Sequence, residues 1–210
     1  MKTIYFVRHG QSEGNANRIT QGSETPLTLR GREQAAIVRD RATRLPIEKI
    51  ISSTMARARE TTAVILEKVV VPVEYSDLFV ERRRPSEMFG VAFDDPRALE
   101  MDIQLKKNFH IEGARLSDEE IFIDIKKRAC LALEHLARQK HDHVLVVTHG
   151  FFLRVLVAYL FFGEGLNSHE CRQFIHLTHT TNTGITIFNF HGEGKSKWSL
   201  VTWNDYAHLG

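Results

Sequence analysis

Lys2-Thr3-Ile4-Tyr5-Phe6-Val7-Arg8-His9-Gly10 and His143-Val144-Leu145-Val146-Val147-Thr148-His149-Gly150 decide the fold. Each is a short apolar run rich in β-branched and aromatic residues, the composition of a buried strand, and each ends on His-Gly. Outward from the first, Gly10, Gly14, Asn15, Asn17, Gly22 and Pro26 mark a long loop. Thr28 then caps a helix to about Arg44, with Leu29, Ala36, Ile37 and Leu45 toward the core. Lys49 to Ser52 reads as a strand, Thr54 to about Lys68 as a helix, and Val69 to Tyr75, holding Pro72, as a strand near an edge. Ser117 and Glu120 stand at capping-box spacing before the stripe Ile121, Ile125, Ala129, Ala132, Leu136. Gly150 to Phe162 is a strongly apolar helix. Phe174–Leu177, Gly184–Phe190 and Trp198–Trp203 read as late strands, the last two joined by a turn at Gly192–Gly194.

Strands alternating with helices predict an α/β fold, a three-layer α/β/α sandwich with a mostly parallel sheet. We expect one domain over 1–210, with 82–115 as a lid or insertion. That segment mixes Arg82-Arg83-Arg84, Pro85, Gly90, Asp94-Asp95-Pro96 and Gly113 around a short helical pattern near Arg97 to Lys107. Its Arg82–Arg84, Met88, Phe89, Phe93 and Met101 are expected to wall a ligand site.

Composition narrows the function. Lys+Arg 28 against Asp+Glu 26 leaves a net charge of +2, too balanced for gripping nucleic acid by charge alone. Among the cations, 18 Arg outnumber 10 Lys, a bias toward bidentate phosphate or carboxylate recognition. Cys130 and Cys171 are too few for a disulfide scaffold. Ile4–Val7 is too short for the core of an export signal, and Phe151–Phe162 contains Arg154 and is about half a membrane span. We therefore expect a cytoplasmic protein with no membrane or nucleic-acid partner.

Several motifs fail on context. Gly194-Lys195-Ser196 ends like a phosphate-binding loop, but Asn189 holds the first glycine position and a strand follows, so it reads as a hairpin turn. Cys130 and Cys171 have Leu136 and Leu177 where a cysteine phosphatase has arginine. Gly10-Gln11-Ser12-Glu13-Gly14 matches the serine-hydrolase elbow, yet loop rather than helix is expected after it; it is kept as an alternative. His141/His143 and His176/His179 have the spacing of chance in a chain of 11 histidines, and we assign no metal site.

His9 and His149 do not fail. Both stand at C-terminal strand ends, where open α/β sheets bind ligands, and adjacent strands can bring them together. Arg57, in Ser52-Ser53-Thr54-Met55-Ala56-Arg57, falls in the first helical turn, where guanidinium and helix terminus both face an anion.

With these pieces the chain resembles the histidine phosphatase superfamily, phosphoglycerate mutase-like branch. The resemblance is carried by Phe6-Val7-Arg8-His9-Gly10-Gln11-Ser12-Glu13-Gly14-Asn15, by Arg18-Ile19-Thr20-Gln21-Gly22 with Pro26-Leu27-Thr28 and Gly31-Arg32-Glu33-Gln34-Ala35, by Ser52-Ser53 with Arg57-Ala58 and Glu60-Thr61, and by Val147-Thr148-His149-Gly150. It implies that His9 is phosphorylated during turnover. It also implies that Arg8, Arg57 and His149 hold the phosphoryl group and that Asn15, Gln21, Gly22 and the Gly150 amide support it. Glu81 matches the family's general acid by position, with Glu87 as substitute. No cofactor is implied, and the partner is a small phosphorylated substrate. Family mutases follow the acid with Arg-His-Tyr-Gly and the second histidine with Gly-Asn-Ser-Leu-Arg. Here Arg82-Arg83-Arg84-Pro85 and Gly150-Phe151-Phe152-Leu153-Arg154 stand instead, which favours a phosphatase over a phosphoglycerate mutase-type transferase. A catalytically silent phospho-ligand-binding relative is the further alternative.

Overall fold

A computed structural model describes residues 1–192 and 197–210. Six strands form one sheet: β1 (Lys2–Arg8), β2 (Lys49–Ser52), β3 (Val73–Tyr75), β4 (His143–Thr148), β5 (Ile185–Phe190) and β6 (Trp198–Asp205), in the order β3-β2-β4-β1-β5-β6. The first four are parallel to one another, and β5 and β6 add antiparallel pairings at one side. The period of two in a strand sorts the core into two layers. Ile4, Phe6, Ile51, Val144, Val146 and Phe188 face α5 (Phe122–Ala137), α6 (Gly150–Phe162) and α7 (Ser168–Leu177). Tyr5, Val7, Ile50, Leu145, Val147 and Ile185 face α2 (Leu29–Ala42) and α3 (Ala56–Leu66). This is the expected three-layer α/β sandwich, with β3 short and at the edge just past Pro72.

Three local expectations are corrected. Thr28 does cap α2, accepting from the Gly31 amide at 3.0 Å, but Leu29 and Ile37 are 82% and 40% exposed. Gly31 sets the phase: a Cβ there would collide with the Gln11 carbonyl, so this face presses on the loop after β1. Ala35, Val38 and Ala42, at helical spacing from it, are the buried stripe. Ser117 and Glu120 do not cap α5, which starts at Phe122. The Glu120 carboxylate is taken by the Arg128 guanidinium, at 2.8 and 2.7 Å, and Asp124 accepts from the Ile121 amide instead. Phe174–Leu177 is the last turn of α7, not a strand; Asn167 and Glu170 form its reciprocal capping box, the signal that a four-residue apolar run concealed. The stripe Ile121, Ile125, Ala129, Ala132, Leu136 is buried as expected. The turn at Gly192–Gly194 and Gly194-Lys195-Ser196 fall largely or wholly outside the described residues; β5 and β6 do pair antiparallel.

The loop after β1 is also more ordered than its composition suggests. It contains α1 (Glu13–Ala16), capped reciprocally by Ser12 and Asn15. Residues 82–115 carry α4 (Pro96–Asn108), opened by Asp95 at its N-cap. Backbone bonds from Thr20 to Val91, Gly90 to Thr20 and Phe93 to Arg18 fasten this segment onto the loop after β1. Loop and segment thus meet over the C-terminal ends of the parallel strands.

Candidate active site

Three strand ends converge. The His9 amide donates to the Thr148 carbonyl at 2.9 Å, and the Ser53 amide to Val147 at 3.0 Å, so His9, His149 and Ser53 leave β1, β4 and β2 side by side. Gly10 then turns the chain against α2, where a Cβ would strike the Gly31 carbonyl; only glycine passes there. The Gly10 amide donates to Thr61 Oγ1, whose hydroxyl donates to the Arg57 carbonyl at 2.7 Å, locking the loop to α3. The His9 carbonyl accepts from Asn182 Nδ2 at 2.8 Å.

The two imidazoles lie 5.0 Å apart between centroids, and both are buried. His9 Nδ1 is 2.6 Å from the Gly10 carbonyl, which can only accept, so Nδ1 carries the hydrogen and Nε2 keeps a free lone pair. His149 Nε2 is 2.7 Å from Ser53 Oγ, which already accepts from the Met55 amide at 3.2 Å. With no other acceptor recorded for it among the described residues, the Ser53 hydroxyl donates to Nε2. The His149 hydrogen is therefore on Nδ1, which is buried and has no partner.

Arg57 enters in the first turn of α3, with Nη1 on the Gly22 carbonyl at 3.0 Å and Nη2 against Met55 Sδ. Arg8 Nη1 donates to the Thr180 carbonyl at 2.5 Å. The Nε–H of each is buried without an acceptor. Burial, opposed by Glu81 and aided by Arg8, pushes Arg57 down to about 10, so it stays charged at neutral pH. Burial, then the Arg57 and Arg8 charges, hold His9 well below its ordinary value; burial, Arg57, His9, Arg128 and Arg8 do the same to His149. The site is two fixed cations around two neutral imidazoles.

Above it opens a cavity of about 560 Å³, lined among others by Arg8, His9, Asn15, Gln21, Arg57 and Glu81; Gly22 also lines it. His149 and Gly150 are buried and do not line it. Gly150 lets the first turn of α6 approach Arg8: a Cβ would lie 3.1 Å from Arg8 Nε and 2.9 Å from Thr180 Oγ1. Glu81 caps that same turn. Its Oε1 accepts from the Phe152 and Arg82 amides, each at 2.9 Å, and its Oε2 from Phe151 at 3.1 Å, which places a negative charge at the positive end of α6. Glu87 is elsewhere: it accepts from Ser117 Oγ and lines a different cavity together with Met88 and Met101. Met88 and Met101 therefore do not wall the His9 cavity, whereas Arg82–Arg84, Phe89 and Phe93 do.

The serine-hydrolase alternative finds no nucleophile. Ser12 is fully buried, caps α1 and donates to Gln21 Oε1 at 2.6 Å, with no imidazole or carboxylate on its hydroxyl. Among the described residues no three His, Cys, Asp or Glu side chains are grouped to hold a metal ion. Sequence reasoning missed Ser53 as the partner of His149, although Ser52-Ser53 had been noticed for its position. It also missed Asn182 and Thr180, which arrive from the loop before β5 without any local signal. A tetrahedral anion set against His9 would meet neutral imidazole nitrogen, two guanidinia and spare N–H donors, the groups phosphoryl transfer uses.

The comparisons with known proteins agree with this geometry. The pattern described as histidine phosphatase superfamily (branch 1) matches residues 4–206. The probable phosphoglycerate mutase GpmB of Escherichia fergusonii is 30% identical over 219 residues, covering 100% of this chain and 95% of that protein. The phosphoglycerate mutase-like protein 4 of Arabidopsis thaliana is 26% identical, covering 98% and 86%. Among solved structures, YhfR of Bacillus stearothermophilus superposes with a TM-score of 0.84 at 24% identity, with 100% of both chains covered. The phosphoserine phosphatase of Entamoeba histolytica, in complex with 3-phosphoglyceric acid, gives a TM-score of 0.76 at 25% identity, again over 100% of both chains. With its signature residues gathered at one strand-end cavity and its pattern matched over nearly the whole length, the chain belongs to the histidine phosphatase superfamily, branch 1.

Proposed function

We propose that this protein is a cytoplasmic phosphomonoester hydrolase that acts on a small phosphorylated metabolite through a phosphohistidine on His9. One observation carries the reading: a free His9 lone pair stands beside three buried N–H donors, Arg8 Nε, Arg57 Nε and His149 Nδ1, that have no acceptor. Buried unpaired donors cost roughly 1–3 kcal/mol each, which a phosphoryl oxygen would return. In the first step His9 Nε2 attacks phosphorus, the phosphorus–oxygen bond to the alcohol breaks, and Glu81, which enters this step carrying a proton rather than as the carboxylate that caps α6, gives that proton to the leaving oxygen. The Glu81 carboxylate then takes a proton from water as its oxygen attacks phosphorus. The His9–phosphorus bond breaks, and inorganic phosphate and neutral His9 are left. Arg8, Arg57 and, from beneath the cavity floor, His149 spread the charge of both transition states, Asn15, Gln21 and Gly22 on the wall support the bound oxygens, the buried Gly150 amide lies outside that wall, and no metal takes part. Residues 82–115 act as the lid, with Arg82, Phe89 and Phe93 facing the substrate.

Hydrolase is favoured over mutase because Arg82-Arg83-Arg84-Pro85 and Phe151-Phe152 replace the stretches that mutases carry, and because a phosphoserine phosphatase is among the full-length structural relatives. The test is phosphate release from a panel of phosphorylated metabolites in the presence of a chelator, run beside bisphosphoglycerate-dependent isomerisation of 3-phosphoglycerate. Release without isomerisation is expected. Isomerisation alone would make the protein a mutase, loss of activity rescued by added Mg²⁺ or Zn²⁺ would remove metal independence, and neither activity would leave a silent binder.

A further inference from the structure

Arg82 and Arg84 line two cavities. The second, of about 580 Å³, lies between α4, α6 and α7, and neither His9 nor Glu81 lines it. Its size is that of a small-molecule site. Lys106, Arg154 and Arg172 complete a set of five cations, and Asp102 is the single carboxylate against them. Asp102 is already shared between Arg84 Nη2, at 3.1 Å, and Lys106 Nζ, at 2.6 Å. Arg154 is held by the Gly150 and Ile175 carbonyls. Two donors remain without acceptors although buried: Arg82 Nη2 and Arg84 Nε. The Arg82 guanidinium is held in place by Phe109 and Phe151, 4.4 and 5.3 Å from the ring centres, and its Nε reaches the Glu120 carbonyl at 3.3 Å. Burial and the neighbouring Arg84 charge push Arg82 down to about 10, against the opposing pull of Glu120, Asp102 and Glu81. Leu105, Phe109, Phe151 and Ile175 make the rest of the wall apolar.

We propose that this second cavity binds a small organic anion with a flat or apolar body, its anionic group accepting from Arg82 Nη2 and Arg84 Nε and its body resting on the apolar wall. Arg172 and Lys106 stand at the rim as further cations. The same chemistry could be offered by the far end of the hydrolysed substrate, reaching past Arg82, or by a separate ligand.

The probe is naphthalene-1,5-disulfonate, a flat dianion with no phosphoryl group to lose, titrated calorimetrically into the full chain. Of these two cavities Arg172 lines only this one and Arg83 only the His9 cavity; both side chains are exposed, so reversing either charge should leave the fold intact. One saturable site is expected in the wild type. Arg172→Glu should weaken it by about 10-fold or more, since one rim charge is reversed, a change of two units beside the anion. Arg83→Glu should change it by less than about 2-fold at the same ionic strength. No saturable binding, an unchanged affinity in Arg172→Glu, or a larger loss in Arg83→Glu would each overturn the proposal. Inhibition of p-nitrophenyl phosphate turnover then identifies the source: competitive for a distal substrate group, non-competitive for a separate ligand. The titration needs no turnover, so a protein without phosphatase activity would refute the reading of His9 and leave this test standing.

Discussion

Removing one hydroxyl should disarm His149 without touching the cavity. Ser53 Oγ fixes the His149 tautomer through the 2.7 Å bond to Nε2, and both residues are fully buried, so no bulk water can replace the bond. A net hydrogen bond of this kind is worth about 0.5–1.5 kcal/mol, and a buried acceptor left unmet costs about 1–3 kcal/mol. Ser53→Ala leaves Nε2 without a partner in either tautomer, so nothing now holds the hydrogen on Nδ1, and the tautomer with Nε2–H turns Nδ1 from donor to acceptor where a phosphoryl oxygen would sit. The loss of transition-state stabilisation should then be about 1.5–3 kcal/mol, or roughly 10- to 100-fold in kcat/KM. Stability should fall by about 1 kcal/mol, a drop of about 2–4 °C in Tm for a chain of this size. Steady-state hydrolysis of p-nitrophenyl phosphate measures the first effect, and the ¹⁵N shifts of the His149 ring show directly which nitrogen carries the hydrogen. Ser53→Thr keeps the hydroxyl and should restore most of the rate. A Ser53→Ala enzyme within about 2-fold of wild type, or a wild-type ring protonated on Nε2, would refute the tautomer argument.

Two further outcomes follow from the same geometry. Glu81→Gln should slow hydrolysis of alkyl phosphates about 10²-fold more than that of p-nitrophenyl phosphate, whose leaving group needs no proton, whereas Glu87→Gln should alter neither; equal losses on both substrates would reduce Glu81 to its capping of α6. Folding stability should also decline with acid. Unfolded histidines take up protons below about pH 6.5, while folded His9 and His149 resist until well below it, so each group costs about 1.4 kcal/mol per pH unit across that window. Thermal melts should shift down steadily from pH 6.5 to 5, with a shallower slope in His9→Asn; an unchanged Tm over that range would contradict two buried neutral imidazoles.

The parts of this architecture legible in the sequence were those written in short-range pattern. The runs ending at His9 and His149 were unambiguous as strands because every residue from Ile4 to Val7 and from Val144 to Thr148 is buried, which leaves no alternation to misread. Arg57 was found because a strand end and a helix start lie within five residues. Leu29 and Ile37 misled because the phase of α2 is set by Gly31 pressing on Gln11, a contact between segments that hydrophobicity does not encode. Ser117 and Glu120 misled because Arg128, in the second turn of α5, competes for the carboxylate. Asn182 and Thr180 reach Asn15, His9 and Arg8 across more than 160 residues, and no pattern on one strand of sequence announces such a contact. Of Glu81 and Glu87, which the sequence offers together, Glu81 lines the His9 cavity and Glu87 a different one.

The most direct test of the mechanism is to trap the phosphoenzyme. Wild-type protein quenched during turnover of a ³²P-labelled phosphomonoester should carry an acid-labile, base-stable label, and peptide mapping should place it on His9, with phosphorus NMR assigning it to Nε2 because Nδ1 is held by the Gly10 carbonyl. His9→Ala, folded, should take up no label and lose turnover by several orders of magnitude. Label on another residue, label on Nδ1, or near-normal turnover in folded His9→Ala would contradict the account.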